Sequence, residues 1–304
     1  MAQLIKLQDY VSRYEQDIFR YPGQFIRLKK ENYEGIKQQW LEQKEQDQIS
    51  PIVEEEEVDK KKGFFKKWFK KEEEDDQFET VDHAISQLPD DENELKRDFL
   101  DRIFQFQLKW ASSTLHEVSF LDRIYETDDQ LKYFLMRFPD TFLLYYQPIF
   151  KLNKALLEGD IIMVTPTSIQ CIYWLDTDDE SVVYEAVDQR KWKKRINGEE
   201  KSIVNPNIAL KRMEGAIRSI LNYHEIDYTI EKIVLSQNGV IQYNHSPQQT
   251  HYIDQSTYET WFHNQRTTST PLKHQQLKVA GALLEHTQTT SINRPEWEDV
   301  EEDF

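Results

Sequence analysis

The sequence predicts an α/β fold, a mixed sheet with flanking helices, preceded by N-terminal helices and a charged linker. Between residues 89 and 140, apolar residues recur at the three- and four-residue spacing of helices. Between residues 142 and 204, short runs of β-branched and aromatic residues alternate with turn-forming residues. A helical pattern and a further strand-like run come next. We therefore assign residues 89–290 to one mixed α/β domain with helical extensions.

The first 46 residues predict two N-terminal helices. From Leu4 to Glu45, long polar side chains that favour helix are interrupted by aromatic and aliphatic residues at helical spacing. Pro22 and Gly23 interrupt the pattern, because proline cannot continue a helix in its interior. We expect the first helix to end before Pro22 and the second to begin after it.

Residues 47–88 are highly charged and have too few apolar side chains to form a core, so they predict a disordered linker. Within it, the segment FFKKWFKK consists of Phe64, Phe65, Lys66, Lys67, Trp68, Phe69, Lys70 and Lys71. As a helix, this segment would place its aromatic and lysine side chains on opposite faces. That arrangement favours peripheral contact with an anionic membrane or docking on a protein partner. The alternative is a solvated linker whose lysines pair with the neighbouring acidic blocks.

The domain begins with a long helix. Acidic residues at 90–92 suit a helix N-terminus, and apolar residues then recur with helical spacing from Leu95 to Trp110. A shorter helix over residues 130–137 ends before Pro139.

Strands are predicted by short apolar runs bounded by turn residues, at 142–146, 160–164, 169–175, 181–187 and 228–235. Asn197-Gly198 predicts a hairpin between residues 192–196 and 201–204, since this dipeptide suits a type I′ turn. Pro206 opens a helix with one apolar face that extends to Leu221. Helices near residues 256–264 and 272–286 precede an acidic tail, residues 291–304, which we expect to be frayed.

The composition restricts the partners. A net charge of −17, from 55 acidic and 38 basic residues, disfavours non-specific binding to nucleic acid. The single cysteine, Cys171, fits a reducing compartment and is expected in the core. No apolar run is long enough for a membrane-spanning helix. We expect a cytoplasmic protein, peripheral at a membrane if residues 64–71 bind one.

Several features of residues 157–235 occur in a characteristic order. Asp160 opens a strand, a turn and a second strand follow, and Trp192 precedes an Asn205-Pro206 pair that opens a helix before a further strand. This order resembles the nuclease-related domain (NERD) family, a branch of the restriction-endonuclease-like fold. Members carry an aspartate at the start of the first strand and Glu-x-Lys at the end of the second. The chemistry of that fold needs at least two carboxylates to hold a divalent cation, and a lysine.

The chain departs from that pattern at the residues that carry the chemistry. Counted from Asp160 without a gap, the family's glutamate and lysine positions are Tyr173 and Leu175. Tyrosine is neutral at pH 7 and leucine has neither charge nor donor. A glutamine common in the family is replaced by Ala209. We infer from these departures a catalytically inactive, cofactor-free interaction or scaffold module with an unidentified protein partner, built on the scaffold that the resemblance implies.

Two alternatives remain open. The first is an Mg²⁺- or Mn²⁺-dependent nuclease in which Glu185 or Asp188 joins Asp160 as a metal ligand. The second is a non-catalytic nucleic-acid binder. Its candidate contacts with nucleic acid or phosphate are Lys191, Lys193, Lys194, Arg195, Lys211 and Arg212. The same residues also fit a solvated rim on an acidic protein. The histidines lack the spacing of a zinc hydrolase motif.

Overall fold

The computed structural model describes residues 1–49, 89–152, 155–175, 177, 179–243 and 249–294. By its internal contacts the chain divides into two compact units, Met1–Ile26 with Gln107–Phe304, and Arg27–Phe106. Most of the predicted linker, including residues 64–71, and most of the acidic tail lie outside the described residues.

The helices are α1 (Tyr21–Ile49), α2 (Glu92–Trp110), α3 (Asp129–Arg137), α4 (Pro206–Tyr223), α5 (Tyr258–Arg266) and α6 (His274–Glu285). Within residues 27–106, α1 and α2 are joined by an indole N–H of Trp40 that donates to the Pro89 carbonyl at 2.6 Å. An ion pair at 3.0 Å between Lys37 and Glu92 adds to this contact.

The larger unit is built on two sheets and two short strand pairs. Its strands are β1 (Gln3–Leu7), β2 (Glu117–Val118), β3 (Leu143–Tyr146), β4 (Ile149–Leu152), β5 (Ala155–Glu158), β6 (Ile161–Val164), β7 (Ser168–Trp174), β8 (Val183–Ala186), β9 (Lys191–Ile196), β10 (Glu199–Val204), β11 (Thr229–Leu235), β12 (Val240–Gln242), β13 (Thr250–Ile253) and β14 (Ile292–Asn293). The six-stranded sheet has the order β1-β3-β6-β7-β11-β13 and the four-stranded sheet has the order β10-β9-β8-β12.

Helices cover both faces of the six-stranded sheet. Successive side chains of a strand point to opposite faces, so Cys171 and Trp174 of β7 point in opposite directions. Cys171 stands beside Lys232 of β11, whose ammonium contacts Glu214 of α4. Trp174 packs on Phe134 of α3, with ring centroids 5.5 Å apart. Because both faces are covered, every residue of β3 and β6 is buried, which explains their continuous apolar sequence. The predicted mixed sheet with flanking helices is confirmed.

Local sequence features explain the turn between β9 and β10 and the start of α4. At the predicted hairpin between β9 and β10, Asn197 and Gly198 have φ values of 49° and 86°, as a type I′ turn requires. Asn205 caps α4, because its side-chain oxygen accepts the Asn207 N–H at 2.9 Å. Pro206 then occupies the first turn, where its missing N–H costs nothing.

The predicted helix over the first 20 residues is wrong. Residues Gln3–Leu7 form β1, which pairs in parallel with β3 at one edge of the six-stranded sheet. Lys6 of this strand is fully buried, and its ammonium binds Glu15 at 2.5 Å and Thr289 at 2.7 Å. Burial lowers the pKa of Lys6, and the neighbouring Glu15 opposes that shift. The predicted second helix is present as α1, beginning at Tyr21.

A buried amide holds β1 in place. The side chain of Gln107 donates to the Ala2 carbonyl at 3.0 Å and accepts the Leu4 N–H at 2.6 Å. Gln107 is 1% exposed, so water cannot replace these bonds.

We predict that Gln107→Met lowers the free energy of unfolding by about 2 kcal/mol or more, because two backbone groups lose their partners in a buried environment. Urea unfolding followed by tryptophan fluorescence measures the change. Gln105→Met, at an exposed position of the same helix, serves as the control. A loss at Gln107 no larger than that of the control would contradict this role.

Candidate functional site

Asp160 and Tyr173 face each other at the start of β6 and the end of β7. The antiparallel register pairs Ile161 with Ile172, so the next position along brings Asp160 opposite Tyr173. Both lie on the α4 side of the sheet, where the Asp160 N–H donates to the Met213 sulfur at 3.2 Å. A phenol therefore stands beside the carboxylate that opens β6.

The environment of this pair raises both pKa values. Burial raises the pKa of Asp160. The pKa of Tyr173 is raised by burial first and by the negative charge of Asp160 second. At neutral pH the phenol is consequently protonated, able to donate a hydrogen bond but not to act as an anionic metal ligand.

Leu175 follows directly after β7 and is 6% exposed. Its backbone N–H donates to the Leu235 carbonyl at 2.7 Å, which extends the pairing of β7 with β11. The position at which the family resemblance expects a lysine is thus filled by a buried apolar side chain.

The two carboxylates suggested as substitute metal ligands have other partners. Glu185, on β8, binds the Arg195 guanidinium at 3.2 Å. Asp188 accepts the backbone N–H groups of Arg190 and Lys191 at 2.6 and 2.7 Å, which closes the turn before β9 and lowers the pKa of Asp188. Within the described ranges, no group of three or more His, Cys, Asp or Glu side chains has a geometry that could hold a metal ion.

A buried ion pair lies on the same face of the sheet. Lys232 of β11 contacts Glu214 of α4, and Glu214 also accepts a hydrogen bond from Arg218 at 2.8 Å. Burial acts to raise the pKa of Glu214, but the hydrogen bonds from Lys232 and Arg218 outweigh it, so the pKa is lowered. Cys171, predicted in the core, is fully buried beside this pair, and burial raises the pKa of its thiol to about 12.

Sequence reasoning missed this pair. The available signal was Lys232 itself, a charged residue at an inward-facing position between the apolar Ile230 and Val234. A charge at such a position requires a partner on the element that covers the strand.

Half of the predicted nucleic-acid contacts are engaged within the protein. Lys193 forms an ion pair with Glu200 at 3.1 Å, and Arg195 binds Glu200 as well as Glu185. The Lys194 ammonium lies 5.6 Å from the centre of the Tyr184 ring, on the opposite face of β9. The other three candidates, Lys191, Lys211 and Arg212, are exposed. The positive potential of this region is therefore reduced by its own carboxylates.

Comparisons with known proteins give one short match. A segment of 47 residues is 47% identical to an RNA 2',3'-cyclic phosphodiesterase of Geobacillus stearothermophilus. The match covers 16% of this chain and only 15% of that relative. No family model and no solved structure matches the chain.

Among the residues that the structure describes, none of the helices combines the length and the apolar character needed to span a membrane.

We predict that Lys232→Ala lowers the free energy of unfolding by about 1.5 to 3 kcal/mol, because the partly buried Glu214 carboxylate loses its main partner and keeps only Arg218. Chemical denaturation measures the loss. Replacing both partners, as Lys232→Met with Glu214→Leu, should be close to neutral, since neither charge is then buried. Lys201→Ala, at an exposed position of β10, is the control, and an equal effect at both lysines would refute the prediction.

We predict that Asp160→Asn stabilises the protein at pH 7 and that this gain disappears near pH 3. The folded state holds the Asp160 proton to a higher pH than the unfolded state does, so ionisation at neutral pH costs stability that the amide avoids. At low pH both states are protonated and the difference vanishes.

Asp179→Asn provides a control of opposite sign. Hydrogen bonds from the Ser181 hydroxyl and backbone N–H lower the pKa of Asp179, so the amide should destabilise the protein at neutral pH. Denaturant titrations at several pH values measure both variants. A pH-independent effect of Asp160→Asn would be incompatible with a raised pKa.

Proposed function

We propose that this chain is a non-catalytic interaction or scaffold module built on a nuclease-related, restriction-endonuclease-like core. The observation that carries the proposal is the position of Tyr173 near Asp160, one step beyond the Ile161–Ile172 pair, together with the burial of Leu175. In the resemblance, these positions belong to the metal-binding aspartate, the second acidic ligand and the lysine.

The chemistry of phosphodiester cleavage explains why this arrangement favours an inactive core. A magnesium or manganese ion needs several hard oxygen ligands, and the reaction needs stabilisation of developing negative charge. Asp160 supplies one carboxylate, Tyr173 supplies a neutral phenol, and Leu175 supplies no donor. Glu185 and Asp188 are held by their own hydrogen bonds, which argues against their joining Asp160.

The order of elements supports the proposed core. Two antiparallel strands, β6 and β7, are followed by α4, which opens at Asn205-Pro206, and then by β11 parallel to β7. This is the order that the resemblance predicts for residues 157–235.

Nucleic-acid binding is the weaker alternative, because Lys193 and Arg195 are paired with carboxylates and the net charge of the chain is −17. A protein partner is therefore the favoured occupant of the scaffold. Residues 64–71 remain the predicted attachment segment for a partner or an anionic membrane.

We predict that the intact chain, incubated with Mg²⁺ or Mn²⁺, leaves DNA and RNA uncut in single- and double-stranded form. A 2',3'-cyclic nucleotide is included among the compounds tested because of the short match described above. We expect the chain to leave it unchanged as well. Product formation is followed by gel electrophoresis and chromatography. Metal-dependent turnover that Asp160→Ala abolishes would overturn the proposal in favour of a nuclease with a relocated carboxylate.

A matched pair of variants tests the metal site directly. Tyr173→Glu places a second carboxylate opposite Asp160, so Mn²⁺ affinity measured by calorimetry should rise about tenfold or more over the wild-type chain. Tyr173→Gln, similar in size but uncharged, should show no such rise. Wild-type Mn²⁺ binding that equals that of Tyr173→Glu and depends on Asp160 would contradict the proposed loss of the site.

A further inference from the structure

Two histidines meet at the ends of two helices. His224 is the C-cap of α4 and His286 is the C-cap of α6. Their Nε2 atoms are 3.1 Å apart, and the rings stand at 80° to each other. The residues are 62 positions apart in the chain, so a local sequence motif could not predict their contact.

The backbone fixes the position of both side chains. The His224 N–H donates to the Ile220 carbonyl at 3.1 Å and thereby continues the last turn of α4. The His286 carbonyl accepts the Lys151 N–H of β4 at 2.8 Å, while its own N–H donates to the Leu283 carbonyl. The two imidazoles are therefore held close together by elements that pack on the same sheet.

The surroundings of the pair favour a positive charge. The carbonyl ends of α4 and α6 carry partial negative charge, and both helices end here. A carboxylate oxygen of Glu285 lies 3.7 Å from the His224 Nε2. The Tyr223 ring packs edge-on against both imidazoles, with centroids 5.0 and 5.5 Å away. With the Glu285 side chain 67% exposed and that of His224 22% exposed, an ion in solvent can reach the pair.

We infer that His224 and His286 bind a divalent transition-metal ion of the zinc class, with Glu285 as a third ligand. Zinc–nitrogen bonds are about 2.0 to 2.1 Å long, so two nitrogens 3.1 Å apart subtend an angle of about 98° at a shared ion, close to tetrahedral. Imidazole nitrogen suits zinc, copper and nickel, whereas magnesium and calcium require oxygen ligands.

Movements of three side chains complete the site. Each imidazole turns toward the ion, and the ring that now donates its Nε2 proton takes the tautomer protonated at Nδ1, so that both Nε2 lone pairs are free. The hydrogen bond between the two Nε2 atoms is thereby exchanged for two metal–nitrogen bonds. Glu285 is exposed and changes rotamer to bring its carboxylate to the ion, and water takes the fourth position. Before these movements the two imidazoles are hydrogen-bonded to each other and the Glu285 carboxylate lies 3.7 Å from the His224 Nε2, so the described residues contain no formed three-ligand group.

The site is separate from the Asp160 region and does not rest on the proposed function. His224 lies 11 residues beyond Met213, the neighbour of Asp160, which is roughly 16 Å along the axis of α4. A bound ion would link the ends of α4 and α6 and add to the packing of both helices on the sheet.

The test uses the full-length chain without a polyhistidine tag, freed of metal with a chelator and titrated with Zn²⁺, Co²⁺ and Cu²⁺ in a calorimeter. We expect one ion per chain, with affinity that rises from Co²⁺ to Cu²⁺ and is lower for Zn²⁺ than for Cu²⁺. Saturating Zn²⁺ should also raise the melting temperature, because the ion binds the folded state.

Five variants test the assignment of the ligands. His224→Gln and His286→Gln should each weaken Zn²⁺ binding about tenfold or more and remove the rise in melting temperature. Glu285→Gln should weaken it less, and His263→Gln, at an exposed position of α5, should leave it unchanged. Circular dichroism without metal establishes that each variant is folded, and His286→Cys, which supplies a thiolate, should retain binding.

A wild-type chain that binds no Zn²⁺ at millimolar concentration would overturn the inference, as would unaltered binding in folded His224→Gln and His286→Gln. Unaltered binding in Glu285→Gln would overturn the assignment of the third ligand. An ion that binds equally well in every variant would belong to another part of the chain.

Discussion

The parallel pairing of β7 with β11 is the constraint on which the arrangement of the larger unit depends. Seven residue pairs, from Ser168 with Thr229 to Trp174 with Leu235, join these strands in the middle of the six-stranded sheet. Parallel neighbours need a long connection, and here it contains β8, β9, β10 and α4. The helix α4 crosses one face of the sheet before β11 begins, so Met213 and Glu214 lie on that face. The C-terminal end of α4 places His224 next to His286.

The sequence was informative where a local pattern was strong. Continuous apolar runs predicted β3 and β6, and periodic apolar residues together with Asn205-Pro206 predicted α4. The turn between β6 and β7 is short, so counting residues along the chain from Asp160 was enough to predict that Tyr173 lies near it. β1 was assigned wrongly because a run of five residues is too short to distinguish the periodicity of a strand from that of a helix. β5 gave little signal because it is only four residues long, Ala155–Glu158, and its apolar residues do not alternate with polar ones.

The sequence could not predict those contacts of the candidate sites that join elements distant in the chain. Lys232 and Glu214 meet only because α4 lies over β11, and His224 meets His286 only because two helices end at one place. In both cases the identity of each residue is visible in the sequence, but its partner is not. Lys6 follows the same rule, since its burial depends on Glu15 and Thr289. Shifting β1 by one residue would turn the ammonium to the opposite face, away from these partners, so the charge helps to fix the register.

The strand β10, at one edge of the four-stranded sheet, affects the solubility of the protein. Among the strands that the structure describes, β10 pairs with β9 alone, so its other side presents backbone groups that a second chain could extend into an intermolecular sheet. Its first three side chains, Glu199, Glu200 and Lys201, are charged and exposed, whereas its last residue, Val204, is an exposed apolar side chain. The charges oppose strand addition through the hydration and repulsion they bring to any approaching copy. They act as gatekeepers, and their neutralisation would leave this edge prone to aggregation.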